Sequence, residues 1–118
     1  MSWLRPDNVR PSDYDPEKRV AGLVERLGQL SGQITDVFNK VDPLYCFYGD
    51  NVDEYVGYVE RFFSQLGSRD FSQLTDEGIT AMVRGSFHES QIVKGFLDEK
   101  DLELLVQKII QLRNTPAT

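Results

Sequence analysis

The chain has 118 residues, 40% hydrophobic and 11% aromatic, and its 13 Lys and Arg against 19 Asp and Glu leave a formal charge of −6. That length suits one domain with its own core, and seven Phe and five Tyr argue against a disordered acidic tail, which lacks the apolar side chains to offset the entropy of ordering. The negative balance opposes a nucleic-acid backbone or an anionic bilayer and favours a basic protein partner. Arg5, Arg10, Lys18, Arg19 and Arg26 do not reverse this, because they are scattered among acids rather than clustered.

Cys46 is the only cysteine, so no intrachain disulfide forms and a reducing compartment is expected. No apolar run approaches the roughly 20 residues of a membrane span. Met1-Ser2-Trp3-Leu4-Arg5-Pro6-Asp7 lacks the basic-then-apolar order of a signal peptide. A cytoplasmic location is the expectation, with neither membrane nor nucleic acid as a partner.

Residues 1–14, with Pro6 and Pro11, read as an irregular leader whose Trp3 and Leu4 are free to dock on the body. Residues 15–113 read as a single α-helical domain. Asp15, Pro16 and Glu17 form a helix start: an N-cap, a proline at the first position and an acid in the first turn. Val20, Leu23, Val24, Leu27, Leu30, Ile34, Val37, Phe38 and Val41 then recur at three- and four-residue steps, the signature of a helical inner face. Gly28, Ser31 and Gly32 interrupt the run. One long bent helix over 16–40 is the preferred reading, and two helices broken near Ser31 the alternative.

Pro43 disfavours helical dihedrals at Asp42 and ends this element near Lys40. After the aromatic loop Tyr45-Cys46-Phe47-Tyr48, Asn51 and Glu54 suggest a reciprocal cap for a helix that buries Val52, Tyr55, Val56, Val59, Phe62, Phe63 and Leu66 and stops at Gly67. Asp53, Glu60 and Arg61 belong to its wetter side. A third segment carries Phe71, Leu74, Ile79, Met82, Val83 and Phe87, with Asp70 or Thr75 as its cap. Asp98 caps a last helix that buries Leu102, Leu105, Val106, Ile109, Ile110 and Leu112, and Arg113 complements its negative end. Residues 114–118 read as a flexible tail. Leu44 to Tyr48 is β-prone but too short, between two helix signals, to make a strand the better reading. The fold class is therefore all-α, with about four major helices in a compact orthogonal or bundle-like arrangement.

Val41-Asp42-Pro43-Leu44 followed by Asp53-Glu54-Tyr55, Tyr58 and a helix ending at Leu66-Gly67 resembles a family of small bacterial all-helical proteins of unknown function. That group carries an aromatic-Asp-Pro-apolar-Gly turn and then Asp-Glu-Tyr; this chain has Val41 in place of the aromatic. The resemblance spans roughly residues 34 to 83. It implies a small helical cytoplasmic protein, with some relatives acting beside toxins or in genome defence, and no established active site.

Searches for chemistry along the chain return little. His88 and Glu89 match the first half of a zinc-protease motif, but Ile92 stands where the second histidine belongs and no other histidine exists, so no metal site is expected. Asp50, Asp53 and Glu54 lack the spacing of a calcium loop. Cys46 lies among Tyr45, Phe47 and Tyr48, where a buried structural thiol is the ordinary outcome. Gly28 and Gly32 lack the preceding strand of a phosphate-binding loop, so no cofactor is expected. The expectation is a non-catalytic protein-protein interaction module, binding a basic protein surface through Tyr45, Phe47, Tyr48, Asp50, Asp53 and Glu54, and the resemblance implies an immunity- or antitoxin-like one. Asp15, Asp42, Pro43, Asn51 and Asp98 serve as structural turn and cap residues. The expected partner is another protein, with a homodimer as an alternative. The alternative is a small hydrolase or ligand-binding regulatory domain using His88 or Cys46.

Overall fold

The computed structural model describes residues 15–45, 52–88, 91, 95 and 97–115, and these contain five α-helices and no strand. They are α1 (Pro16–Leu27), α2 (Gln29–Val41), α3 (Val56–Leu66), α4 (Asp76–Gly85) and α5 (Glu99–Asn114), with a single 3₁₀ turn at Phe71–Gln73 before α4. The all-α reading holds, with five helices instead of about four because the first long segment divides.

The division falls at Gly28. Its φ of 96° and ψ of 173° lie in a region open essentially only to glycine, so α1 ends there and α2 begins at the next residue. The Gly28 amide still donates to Val24 O at 2.7 Å. Ser31 then supports the start of α2 from inside the core, its hydroxyl 2.6 Å from Gly28 O and 3.4 Å from Leu23 O. Gly32 serves the close packing of the same hairpin, since a β-carbon there would lie 2.9 Å from Val24 Cγ2. The apolar register survives the break: Leu23, Ile34 and Phe38 are all fully buried.

α2 is the central element, packing against α1, α3 and α5, while α4 joins α3 to α5. The core gathers Leu23, Ile34 and Phe38 from the hairpin, Val56, Val59, Phe62 and Leu66 from α3, Ile79, Met82 and Val83 from α4, and Leu102, Leu105, Val106 and Ile109 from α5. Full burial of a side chain of this size contributes about 1.5–3 kcal/mol. Phe38, Tyr55, Tyr58 and Phe87 form a continuous aromatic cluster with centroid separations of 5.0 to 6.0 Å.

Caps follow the sequence chemistry closely. Asp15 accepts from Glu17 N (3.0 Å), Thr75 from Gly78 N (3.0 Å) and Asp98 from Lys100 N (2.8 Å), while Asp70 caps the 3₁₀ turn through Ser72 N. Asn51 lies outside the described residues. The helix expected from Val52 starts four residues later, at Val56, and Val52 to Tyr55 form a turn closed by Val56 N donating to Asp53 O (3.1 Å). Asp53 and Tyr55 explain the delay: both side chains are buried, and residues two apart on a helix point to nearly opposite sides, so only a non-helical turn turns both inward. Asp53 is thereby corrected from the wetter side to the interior, 2% exposed and paired with Arg19 at 3.2 Å.

At the far end α5 continues through Asn114, where the sequence suggests a flexible tail, and the Thr115 hydroxyl donates to Gln111 O (2.8 Å). Arg113, only 15% exposed, does more than complement the helix end: it reaches Leu74 O and the Asp76 carboxylate, each at 2.8 Å. It thus ties the end of α5 to the start of α4.

Two glycine substitutions separate the hinge from ordinary helix propensity. Gly28→Ala is expected to lower the unfolding free energy by about 1–3 kcal/mol through its backbone conformation. Gly22→Ala, inside α1 with nothing within 4 Å of the added carbon, is expected to raise it by about 0.5–1 kcal/mol. Urea denaturation followed by circular dichroism reads both, and equal effects of the two would contradict the hinge.

Candidate functional site

The turn between α2 and α3 is the place where the chemically informative residues converge. Asp42 ends α2 in the left-handed region (φ 49°, ψ 58°), its amide donating to Phe38 O at 2.8 Å. Buried Pro43 follows, and Tyr45 N closes the turn on Asp42 O at 2.9 Å. The Tyr55 hydroxyl reaches this turn from the fully buried ring, donating to Asp42 Oδ1 (2.6 Å) and accepting from Leu44 N (2.9 Å). The Asp-Pro and Asp-Glu-Tyr segments, separate in sequence, are therefore one hydrogen-bonded unit in space.

Tyr45 is the exposed product of this arrangement. Its backbone also takes a left-handed conformation, φ 55°, which costs a non-glycine residue of the order of 1 kcal/mol, and its side chain is 67% exposed. The phenol donates to Asp101 Oδ2 on the first turn of α5. That bond holds the neutral phenol, and with the Asp101 charge, then those of Asp98 and Asp42, it raises the Tyr45 pKa above its ordinary value. The result is an aromatic ring projecting to solvent among three carboxylates contributed by two different elements.

Of the residues assigned to partner binding from sequence, Tyr45 is exposed, Glu54 is exposed and Asp53 is buried against Arg19. Phe47, Tyr48 and Asp50 lie outside the described residues, as does Cys46. Asp98 and Asp101 were missed as neighbours of Tyr45: their spacing shows only an N-cap and a first-turn acid, and nothing local reveals a tyrosine 56 residues upstream. His88 is exposed, its amide donating to Gln91 Oε1 (2.8 Å), and it lines neither surface groove beside α5. Among the described residues no three His, Cys, Asp or Glu side chains group as a metal ion requires, and no helix is long and apolar enough to cross a membrane.

Two shallow grooves flank α5. One, of about 370 Å³, lies between α4 and α5 and carries mixed charge, with Arg84 paired to Glu99 across it through contacts of 3.0 and 3.1 Å. That pairing holds the Glu99 carboxyl below its ordinary pKa. The other, of about 480 Å³, lies between α2 and α5, where Val37, Val41, Leu104 and Leu112 supply an apolar floor beside Lys40 and Lys108. Leu104 is 46% exposed. The available sequence signal was Leu104 itself, an apolar residue beside the buried stripe of Leu102, Leu105, Val106 and Ile109.

Comparison of the chain with protein-family models, curated proteins and solved structures finds no match. The resemblance carried by Asp42-Pro43 and Asp53-Glu54-Tyr55 therefore rests on those residues alone.

Two measurements probe the turn. Tyr55→Phe removes a buried hydroxyl that serves both Asp42 and Leu44, and a loss of about 1–3 kcal/mol in unfolding free energy is expected; an unchanged denaturation midpoint would show that the bonds contribute nothing net. Asp101→Asn removes the charge and the strongest acceptor acting on Tyr45. In an NMR titration of ring-labelled tyrosine, with the signal assigned by Tyr45→Phe, the Tyr45 phenol is expected to ionise at a lower pH in Asp101→Asn than in the parent chain.

Proposed function

We propose that the chain is a protein-protein interaction module, immunity- or antitoxin-like, that binds a basic protein surface with Tyr45 as its anchor. One observation carries this reading: an exposed aromatic side chain held in an unfavourable backbone conformation, its hydroxyl bound to Asp101 and within the field of Asp98 and Asp42. Tyrosine is enriched at binding hot spots because its ring buries a large area at little entropic cost while its hydroxyl keeps a polar partner. Carboxylates around it, on a chain of net charge −6, steer a basic surface toward the ring and set orientation.

The wiring behind the ring supports the same reading. Tyr45 sits on a turn fixed from the core by Tyr55 and from α5 by Asp101, so the anchor is held before a partner arrives and little ordering entropy remains to be lost on binding. Sharing of the anchor between the α2–α3 turn and α5 also makes its geometry a property of the folded domain, absent from any isolated peptide.

Affinity purification from the native cell, at low and at physiological salt, tests the proposal. A stoichiometric basic protein partner is expected, held more weakly at the higher salt, and Tyr45→Ala is expected to weaken its binding by about 2 kcal/mol or more. Recovery of no such partner under either condition, or equal binding by Tyr45→Ala, would contradict the assignment.

A further inference from the structure

We infer that the groove between α2 and α5 is a second docking surface, which takes an amphipathic helix carrying an apolar stripe flanked by Asp or Glu. The inference stands on a surface other than the Tyr45 anchor. Val37 and Val41 from α2 face Leu104 and Leu112 from α5 across a trough of about 480 Å³, and the charged residues lining it are Lys40 and Lys108, with no acid among the described lining residues. On a chain with six more acids than bases, an apolar trough bordered by two lysines is a local reversal of the prevailing field.

The dimensions suit a helix. From Leu104 to the C-cap Thr115 the groove follows α5 for eleven residue steps, roughly 16 Å at the helical rise, which accommodates two to three turns of a partner helix with anchors at i, i+4 and i+7. The two lysines are exposed and carry long flexible stems, so they cover apolar surface with their methylenes and present ammonium groups at the rim. A partner helix with carboxylates beside its apolar stripe satisfies both features; a basic helix meets like charge. A second copy of this chain related by two-fold symmetry through this groove brings Lys40 and Lys108 against their own equivalents, which disfavours that occupant.

The groove also borders the Tyr45 anchor. Val41 immediately precedes Asp42, and Leu104 lies one turn beyond Asp101 on α5. The acidic sector suits a basic surface and the lysine-bordered groove an acidic helix.

The probe is a fluorescent helical peptide of about 14 residues with Leu at i, i+4 and i+7 and Glu on both flanks, titrated with the full chain and read by anisotropy. A second peptide keeps the leucines and replaces every Glu by Lys. Saturable binding of the Glu peptide, about tenfold or more tighter than that of the Lys peptide, is expected. The double substitution Lys40→Glu with Lys108→Glu is expected to reverse this order, and Leu104→Ser, at an exposed position, to weaken both peptides with the fold intact by circular dichroism. Tyr45→Ala is expected to leave peptide binding unchanged, so failure here is distinguishable from failure of the Tyr45 anchor. Equal affinity for the two peptides, no saturation by about 1 mM chain, or indifference to the lysine substitutions would overturn the inference. So would sedimentation showing a dimer of the chain that Leu104→Ser dissolves, which would assign the groove to a second copy.

Discussion

Three requirements meet at the hydroxyl of Tyr55. Its ring must be buried, because it packs 5.8 Å from both Phe38 and Tyr58 in the aromatic cluster. Its oxygen, carried into the interior with the ring, must find partners, because a buried hydroxyl without them costs about 1–3 kcal/mol. The chain leaving α2 must also turn back sharply enough for α3 to pack on α2. Donation to Asp42 and acceptance from Leu44 meet all three together. The turn is consequently fixed from its inner side, which leaves its outer side, including Tyr45, available for recognition.

The ion pairs divide by environment. Arg26 with Glu60 and Arg84 with Glu99 are exposed at both ends, and such pairs are screened by salt and add little to stability. Asp53 and Arg113 are different because each is largely removed from water. A buried carboxylate cannot be left without compensation, and Arg19 reaches across from α1 to meet it. Arg113 makes its contacts between α5 and the start of α4, joining a backbone carbonyl and a carboxylate. These two groups link elements distant in the chain, and they specify arrangement more than they add energy.

Much of the helical framework was legible in the sequence because it depends on short-range rules. Leu23, Ile34 and Phe38, or Leu102, Leu105 and Ile109, declare their shared faces by spacing alone, and Asp15, Thr75 and Asp98 declare helix starts because a short polar side chain satisfies amides two or three residues ahead. The misreadings occur where a distant residue decides. Asp53 reads as a surface acid unless Arg19, 34 residues earlier, is known to approach it. The break at Gly28 is local instead, a choice of glycine dihedrals supported by Ser31 three residues on, which composition does not reveal. At the candidate site, Tyr45 was recognisable as an aromatic after the Asp-Pro turn, but the acids of α5 near it were not, because Asp98 and Asp101 belong to another helix. The basic groove was hidden for the same reason: Lys40 and Lys108 acquire a common meaning only when α2 and α5 are side by side.

The position of α5 has a consequence for synthesis. α2 precedes α5 by almost 60 residues and packs against it, so a growing chain presents the α5-facing side of α2 to solvent while everything between them is being made. The α1–α2 hairpin, whose contacts are local, forms early; the shared core waits for Leu102, Leu105, Val106 and Ile109. Translation therefore passes through a partly assembled stage with unburied apolar surface, the kind of surface that chaperones bind. Among the five helices, the one that completes the shared core is thus the last to be synthesised.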